Sequence, residues 1–299
     1  METAPQDESP AAGPTVTRML LGAQLRRLRE ARGISREEAG YAIRGSESKI
    51  SRMELGRVGF KERDVLDLLT LYGITDERER EEALVLTRDA NTPGWWHRYS
   101  DLLPSWFQSF LGLETAAVLI RSYEVQFVPG LLQTEAYARA VIQIGFSSAN
   151  TEEIDRRVKL RIDRQKILRR PDPPQLWAVV DEAALRRPIG GVSVMRAQIE
   201  ALIEATKLPH VRLQVIPFQV GGHAAAGGAF SILRFPDQDL PDVVFIEQLT
   251  GGFYLEKPDE VDQYAGAMGR LYIEAAPLAQ TAEILHDILQ DFEAKDSLS

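Results

Sequence analysis

The chain has 299 residues, 44% of them hydrophobic, so it can bury a sizeable core, and its length favours about two domains. It contains no cysteine, which excludes disulfides and thiolate metal sites and favours a cytoplasmic location. The sequence has no run of about 18 apolar residues, so no membrane span is predicted.

The net charge of −9 is unevenly distributed along the sequence. Residues 18–63 hold twelve Lys or Arg and six Glu, a local charge of +6, which leaves −15 for the rest of the chain. Because an acidic body repels phosphates, we expect contact with a nucleic acid only through this basic segment. A solvated, Arg-rich surface without a partner is the alternative.

The first residues, METAPQDESPAAGPT, lack the basic start and apolar core of a secretory signal. Their Pro, Ala and acidic content predicts a flexible tail over residues 1–17. Leucines then recur at helical spacing in residues 20–33, which predicts a first helix that ends at Gly33 in the left-handed conformation. Ser35 caps a second helix, with Glu38 completing a capping box.

Residues 35–56 are typical of two short helices that cross at a tight turn, the arrangement of a DNA-reading helix-turn-helix. Gly40 is expected to let the two helices approach closely. Ser46 is placed to cap the later helix, in which polar side chains surround the inward Ile50 and Met53. A polar first turn on a packed helix suits the reading of base edges. Two more helices, at 60–72 and 76–89, complete a five-helix, all-α head.

Residues 21–71, with the signature SESKISRMELGR, resemble the Xre-type, phage-repressor-like helix-turn-helix family. The resemblance implies that the start of the third helix faces the major groove and that Arg36 touches phosphate. It also implies a structural clasp between Arg29 and Glu54. The family usually has a glycine at the turn position that Arg44 holds here.

Cations after the third helix, including Arg63, are expected to meet backbone phosphate, which positions a protein without reading sequence. Glu47 either accepts from a cytosine amine or merely favours the positive end of the helix dipole. The predicted DNA-binding residues are Arg36, Ser46, Glu47, Ser48, Lys49, Arg52, Arg57 and Lys61.

Asn91-Thr-Pro-Gly94 interrupts the preceding helix and marks a boundary. We therefore expect a helix-turn-helix domain at 18–75, a connecting helix at 76–92 and a C-terminal sensor or interaction domain at 93–299. An aromatic cluster follows the boundary and either lines a ligand pocket or cements the junction between domains; the second is favoured because bulky rings are chiefly core material. Its tryptophans are Trp95, Trp96 and Trp106.

The C-terminal domain is predicted to be α+β. A helix is expected at 113–123, a basic amphipathic helix at 156–170 and a helix at 195–207. Strands are predicted in QLWAVVDEAAL, VRLQVIPF, FSILRF, VVFIEQ and GFYLE. The last four strands follow each other closely, which favours a mostly antiparallel sheet with flanking helices. Two final helices are expected at 261–276 and 278–292, and one of them is a candidate for a dimer interface.

The sequence gives little sign of an enzyme. Asp181 and Glu182 are adjacent at the end of a strand and are better explained by the start of a helix. The four histidines lack metal-ligand spacing, and there is no nucleophile elbow or phosphate loop. Residues 221–228, GGHAAAGG, are interpreted as a hairpin connection, with closure over a ligand as the alternative. We expect no catalytic residue, metal or cofactor.

Residues 93–290 resemble the effector-type domain of WhiJ-like regulators of actinomycetes, through VPGLLQTEAYARAVI, RRVKLRIDRQKIL, VVDEAALRRPIGG, VRLQVIPF and GGFYLE. This resemblance implies a transcriptional regulator of development or specialised metabolism, and a small acidic partner protein encoded nearby, as in toxin and antitoxin systems.

We therefore expect a homodimeric regulator that binds double-stranded DNA in a sequence-specific way and receives a protein or small-molecule signal. Its half-sites should lie about 10 bp apart, or a multiple of that. The alternative is an antitoxin-like interaction module that sequesters a small partner protein and binds DNA only for autoregulation.

Overall fold

The computed structural model describes residues 14–225, 227–237 and 240–296. Most of the predicted tail lies outside these residues, and the first helix already begins at Pro14. The chain forms two compact units. Described residues of 1–100, with 107–116, Asp237 and Leu240, make the first unit, and the remainder makes the second.

The first unit is helical. Its core contains Leu21, Leu25, Ile50 and Met53, as predicted for the early helices, and also Ile43. The helices are α1 (Pro14–Ala31), α2 (Arg36–Ala42), α3 (Glu47–Glu54), α4 (Glu62–Leu71), α5 (Glu77–Ala90) and α6 (Ser105–Ala116). Only residues 107–116 of α6 belong to this unit. A short 3-10 helix, Trp95–Tyr99, precedes α6.

The second unit is a six-stranded mixed sheet with helices, which confirms the predicted α+β class. Its strands are β1 (Leu119–Glu124), β2 (Gln175–Asp181), β3 (Val211–Ile216), β4 (Phe230–Arg234), β5 (Val243–Gln248) and β6 (Gly251–Leu255). Its helices are α7 (Glu135–Gly145), α8 (Thr151–Gln165), α9 (Glu182–Arg186), α10 (Val192–Ala205), α11 (Pro258–Glu274) and α12 (Thr281–Asp296).

The strand order is β3-β2-β1-β4-β5-β6. The first three strands are parallel, because α7 and α8 cross from β1 to β2, and α9 and α10 cross from β2 to β3. The other three pairings are antiparallel. Met268 and Leu271 of α11 belong to the same buried apolar cluster as Tyr123, Val179 and Ile232.

Three expectations for this unit were wrong. The helix expected at 113–123 ends at Ala116, and residues 119–124 form the central strand β1, since pairing on both sides decides the conformation of a short apolar run. The strand β3 is not antiparallel to its successor but lies parallel to β2 at the edge. Residues 221–228 therefore do not join a hairpin, because β2 and β1 separate β3 from β4.

No helix within the described part of the chain is both long and apolar enough to cross a membrane.

Candidate DNA-binding surface

The two helices of the predicted helix-turn-helix are capped as the sequence indicates. Ser35 Oγ accepts from the Glu38 backbone N–H at 3.1 Å, and the Glu38 carboxylate accepts from Ser35 N–H at 2.7 Å. Ser46 Oγ accepts from Lys49 N–H at 3.2 Å. Each cap satisfies a backbone donor that the first helical turn leaves unpaired. The start of both helices is thereby fixed.

The turn between α2 and α3 is tight. A Cβ on Gly40 would lie 2.9 Å from the carbonyl carbon of Ser46, so only glycine permits this approach, as predicted. Gly33 has the expected positive φ, +66°. Arg44 also has a positive φ, +54°, although it carries a side chain. Arg44, at the position where the family that the sequence resembles usually has glycine, therefore adopts the conformation that glycine favours.

Replacing Arg44 with glycine should stabilise the first unit by about 0.5–1 kcal/mol, because glycine occupies the left-handed region without a Cβ penalty. The gain should be visible as slower hydrogen exchange of the amides of α2 and α3. Arg44→Ala is the matched control, since it removes the same charge but keeps the Cβ. Equal stability of the two variants would show that the left-handed conformation does not strain the backbone at Arg44.

Arg29 and Glu54 pair as the family resemblance implied. Arg29 Nε donates to Glu54 Oε1 at 2.5 Å and a terminal nitrogen donates to Oε2 at 3.1 Å, with each residue 6% exposed. The hydrogen bond to Glu54 raises the pKa of the Arg29 guanidinium above its usual value. Arg29 also donates to the carbonyl of Ile34, so it ties α1 to the start of α2 and to the end of α3.

Arg36 has a second role beside the predicted phosphate contact. Its Nε donates to Glu54 Oε2 at 3.2 Å, and its side chain is 37% exposed. Glu54 therefore holds two arginines from two helices.

Lys49, which the sequence predicts to contact DNA, also makes an ion pair within the protein. Its Nζ donates to Asp64 Oδ2 at 2.5 Å, and the Asp64 side chain is only 1% exposed. Arg63 donates to the other carboxylate oxygen at 3.0 Å. Burial alone raises the pKa of Asp64, but hydrogen bonds from Lys49 and Arg63 outweigh burial and hold that pKa below its usual value. Lys49 thus stabilises α4 through a buried carboxylate.

The exposed polar residues at the start and on the outer face of α3 are called here the α3 surface. Ser48 and Arg52 are four residues apart, so they project from the same side of the helix. Ile50 and Met53 are 1% exposed on the opposite side. Arg57 and Lys61 lie beyond the helix and are also exposed. The α3 surface comprises Ser46, Glu47, Ser48 and Arg52.

Two features of the first unit have no clear signal in the sequence. Tyr41 on α2 is 88% exposed, which is unusual for an aromatic ring. The sequence gives no clear signal for this exposure, because Tyr41 stands between the small residues Gly40 and Ala42. The burial of Asp64 is the second feature, and the sequence gives no local signal for it because its partner Lys49 lies 15 positions away.

The predicted tryptophan cluster divides between the two units. In the first unit, Trp95 and Trp96 form an edge-to-face pair with ring centroids 6.0 Å apart, and Trp95 Nε1 donates to Thr115 Oγ1. In the second unit, Trp106 stacks on Phe245 with centroids 6.3 Å apart. Both readings of the cluster, ligand pocket and domain junction, stay predictions.

The acid pair at the end of β2 is engaged in local structure. Asp181 caps α9 by accepting from the Ala183 N–H at 2.8 Å. Glu182 accepts from Arg186 at 2.5 Å and from the Phe218 N–H at 2.8 Å. Among the residues that the structure describes, no group of three or more acidic or histidine side chains could hold a metal ion.

Comparison with family models gives two matches. A helix-turn-helix domain model matches residues 20–83, and a model described as a domain of unknown function, DUF5753, matches residues 107–287. No curated protein and no solved structure matches the chain significantly. The chain thus carries a helix-turn-helix domain, which supports its assignment as a DNA-binding regulator. Since the second model covers more than half of its 299 residues, the chain belongs to the DUF5753 family.

Proposed function

We propose that this protein is a sequence-specific transcriptional regulator of the Xre and WhiJ-like type. The observation that carries the proposal is the α3 surface, a polar and exposed stretch on a helix whose start is capped and whose other side is buried. A rigid helix that presents polar groups at its N-terminal end suits the major groove. A regulator works where the DNA is, so we assign it to the cytoplasm.

The proposal divides the cations of the first unit into two groups. Lys49 and Arg29 hold buried carboxylates and serve the fold. Arg52 is exposed and reads bases, while Arg57 and Lys61 meet phosphate. Tyr41 adds an exposed ring that can contact sugar or base edges.

Selection of bound sequences from a random DNA library by the full chain tests the proposal. We expect a pseudo-palindromic motif, bound by a homodimer, with an affinity that falls steeply as salt increases. Recovery of unrelated sequences, bound with equal affinity, would contradict sequence-specific regulation.

Arg52→Ala should weaken binding to the selected motif roughly 10-fold to 100-fold, as for the loss of one bidentate base contact. The stability of the first unit should change by less than about 0.5 kcal/mol because the side chain is exposed. Fluorescence anisotropy with labelled duplexes measures the change. An affinity equal to that of the unaltered chain would remove Arg52 from the reading surface.

We further propose that the second unit is a signal receiver without catalytic activity. What supports this is a separate sheet with its own core, on the same chain as a helix-turn-helix domain. A metabolite or a small protein partner that binds it should raise its melting temperature and change the affinity for the DNA motif. A ligand that stabilises the unit but leaves DNA affinity unchanged would argue against signalling.

A further inference from the structure

The connection from β3 to β4 crosses the carboxyl edge of the parallel strands. The strands β1, β2 and β3 all end at this edge, and β4, which is antiparallel to β1, begins there. The chain therefore passes over the ends of β2 and β1 to reach Phe230. The carboxyl ends of parallel strands are where open α/β sheets usually bind small molecules. His223 lies in this connection, and its imidazole faces Tyr123 of β1 and Asp181 of β2.

Hydrogen bonds fix the position of each proton in this group. The Ala225 backbone N–H donates to His223 Nδ1 at 3.2 Å, so the proton of the neutral ring is on Nε2. Nε2 lies 2.9 Å from the Tyr123 hydroxyl and therefore donates to it. Burial raises the pKa of Tyr123 above its usual value, and the charge of Asp181 and a hydrogen bond to it raise that pKa further. The hydroxyl thus stays protonated and donates to the Asp181 carboxylate.

The members of this group are held in different ways. Tyr123 is 1% exposed on the central strand, and Asp181 Oδ1 accepts from the Ala183 N–H at 2.8 Å, so both are fixed at the end of the sheet. The His223 imidazole meets the Tyr123 ring edge to face, with centroids 5.3 Å apart, but it comes from the connection. The sheet therefore supplies an oriented acceptor beside an aromatic ring, and a side chain of the connection supplies the donor that occupies it.

The segment 221–225 depends on few contacts besides those of the imidazole. The Ala224 N–H donates to Glu274 Oε2 at 3.3 Å, and Ala225 joins the core at the end of the segment. A Cβ on Gly221 or Gly222 would meet no heavy atom of the described chain within 4 Å, so packing does not hold this part. Gly221 has a φ of +70°, a turn that a side chain would hinder. Loss of the imidazole contacts would therefore release the segment.

We propose that Tyr123 and Asp181 form a receptor site for a small planar heterocycle with an N–H donor, and that His223 of the same chain occupies this site until such a molecule displaces it. A heterocycle of this class offers the same flat shape and the same N–H as the imidazole. The inference rests on the proposed function, because the displacement is the signal that the second unit receives. The segment 221–225 is the part whose conformation the bound molecule changes.

His223→Ala in the full chain vacates the site. Calorimetry with imidazole as the probe should then show a Kd of about 1 mM, weak because the probe is small. The unaltered chain should bind imidazole roughly 10-fold more weakly, because the tethered His223 competes at a high effective concentration. Thiazole, a ring of similar size without an N–H, should bind His223→Ala roughly 10-fold more weakly than imidazole does. Equal binding of the two probes, or no binding of imidazole, would overturn the proposal.

Tyr123→Phe tests the site without opening a cavity, because it keeps the ring and removes the hydroxyl. In the full chain it should accelerate hydrogen exchange of the Ala224 and Ala225 amides roughly 10-fold, as the segment is released. Tyr264→Phe is the matched control, since it removes a hydroxyl from α11 in the same unit and should leave that exchange unchanged. Equal exchange in the two variants would show that the Tyr123 hydroxyl does not hold the segment, which contradicts the proposal.

Displacement is tested on the unaltered chain. An excess of imidazole should accelerate exchange of the same two amides, whereas an equal concentration of thiazole should not. Exchange that imidazole leaves unchanged or slows would overturn the displacement of His223. If the unaltered chain binds no DNA, the proposed function fails, while calorimetry and hydrogen exchange still decide whether the receptor site exists.

Discussion

Glu54→Ala should lower the stability of the first unit by about 3–5 kcal/mol, the largest effect that we expect from one substitution. Glu54 is 6% exposed and is the partner of both Arg29 and Arg36. Its removal leaves the Arg29 guanidinium buried without a counter-charge, which is far costlier than the pair itself is stabilising. Helices α1, α2 and α3, which Arg29, Arg36 and Glu54 join, should lose stability together.

Hydrogen exchange of the amides of α1 and α3 is the suitable measurement, because a chain with two units need not unfold in one step. Glu81→Ala serves as a control, since Glu81 pairs with Arg88 on the surface with more than half of its side chain exposed. That control should change stability by less than about 1 kcal/mol. A Glu54→Ala variant as stable as the control would contradict the clasp.

Lys49→Met should destabilise the first unit by about 2–3 kcal/mol, because buried Asp64 then keeps only the Arg63 partner, whose own side chain is 61% exposed. The variant should still prefer the same base at each position of the selected motif, measured at a protein concentration that does not saturate the DNA. This outcome separates Lys49 from Arg52, although both are cations on the same short helix.

The effect of Lys49→Met should depend on pH. The folded state holds the pKa of Asp64 below its ordinary value of 3.8, so the carboxylate stabilises the fold above that pH. This stabilisation is lost as the pH falls through the depressed pKa, where Asp64 takes up a proton. The difference in stability between the unaltered chain and Lys49→Met should therefore be constant near neutral pH and shrink below 3.8. A difference that grows on acidification would contradict the assignment.

The head could be predicted from the sequence in detail because its signals are local. The caps at Ser35 and Ser46 and the left-handed Gly33 depend on residues within a few positions of each other. The pair of Lys49 with Asp64 spans 15 positions and forms only when α3 and α4 are packed. The sequence alone therefore predicts a DNA contact for Lys49 and does not show its pairing with Asp64.

The sheet was harder to predict because strand order depends on distant pairings. Residues 119–124 are too short to distinguish a strand from a helix by periodicity. The sequence distance between β3 and β4 suggested neighbours, but two parallel crossovers place β3 at the edge beside β2. The other five strands were recognisable from their β-branched and aromatic residues, whereas their partners were not.

The central claim is that the α3 surface lies in the major groove. Because the chain contains no cysteine, Ser48→Cys offers a single attachment point for an iron chelate that cleaves nearby DNA. On the selected motif we predict cleavage at two positions related by the motif's symmetry, about one helical turn apart or a multiple of it. A chelate on Glu77→Cys, on α5, is the comparison. Cleavage from Glu77 with none from Ser48 would contradict the claim.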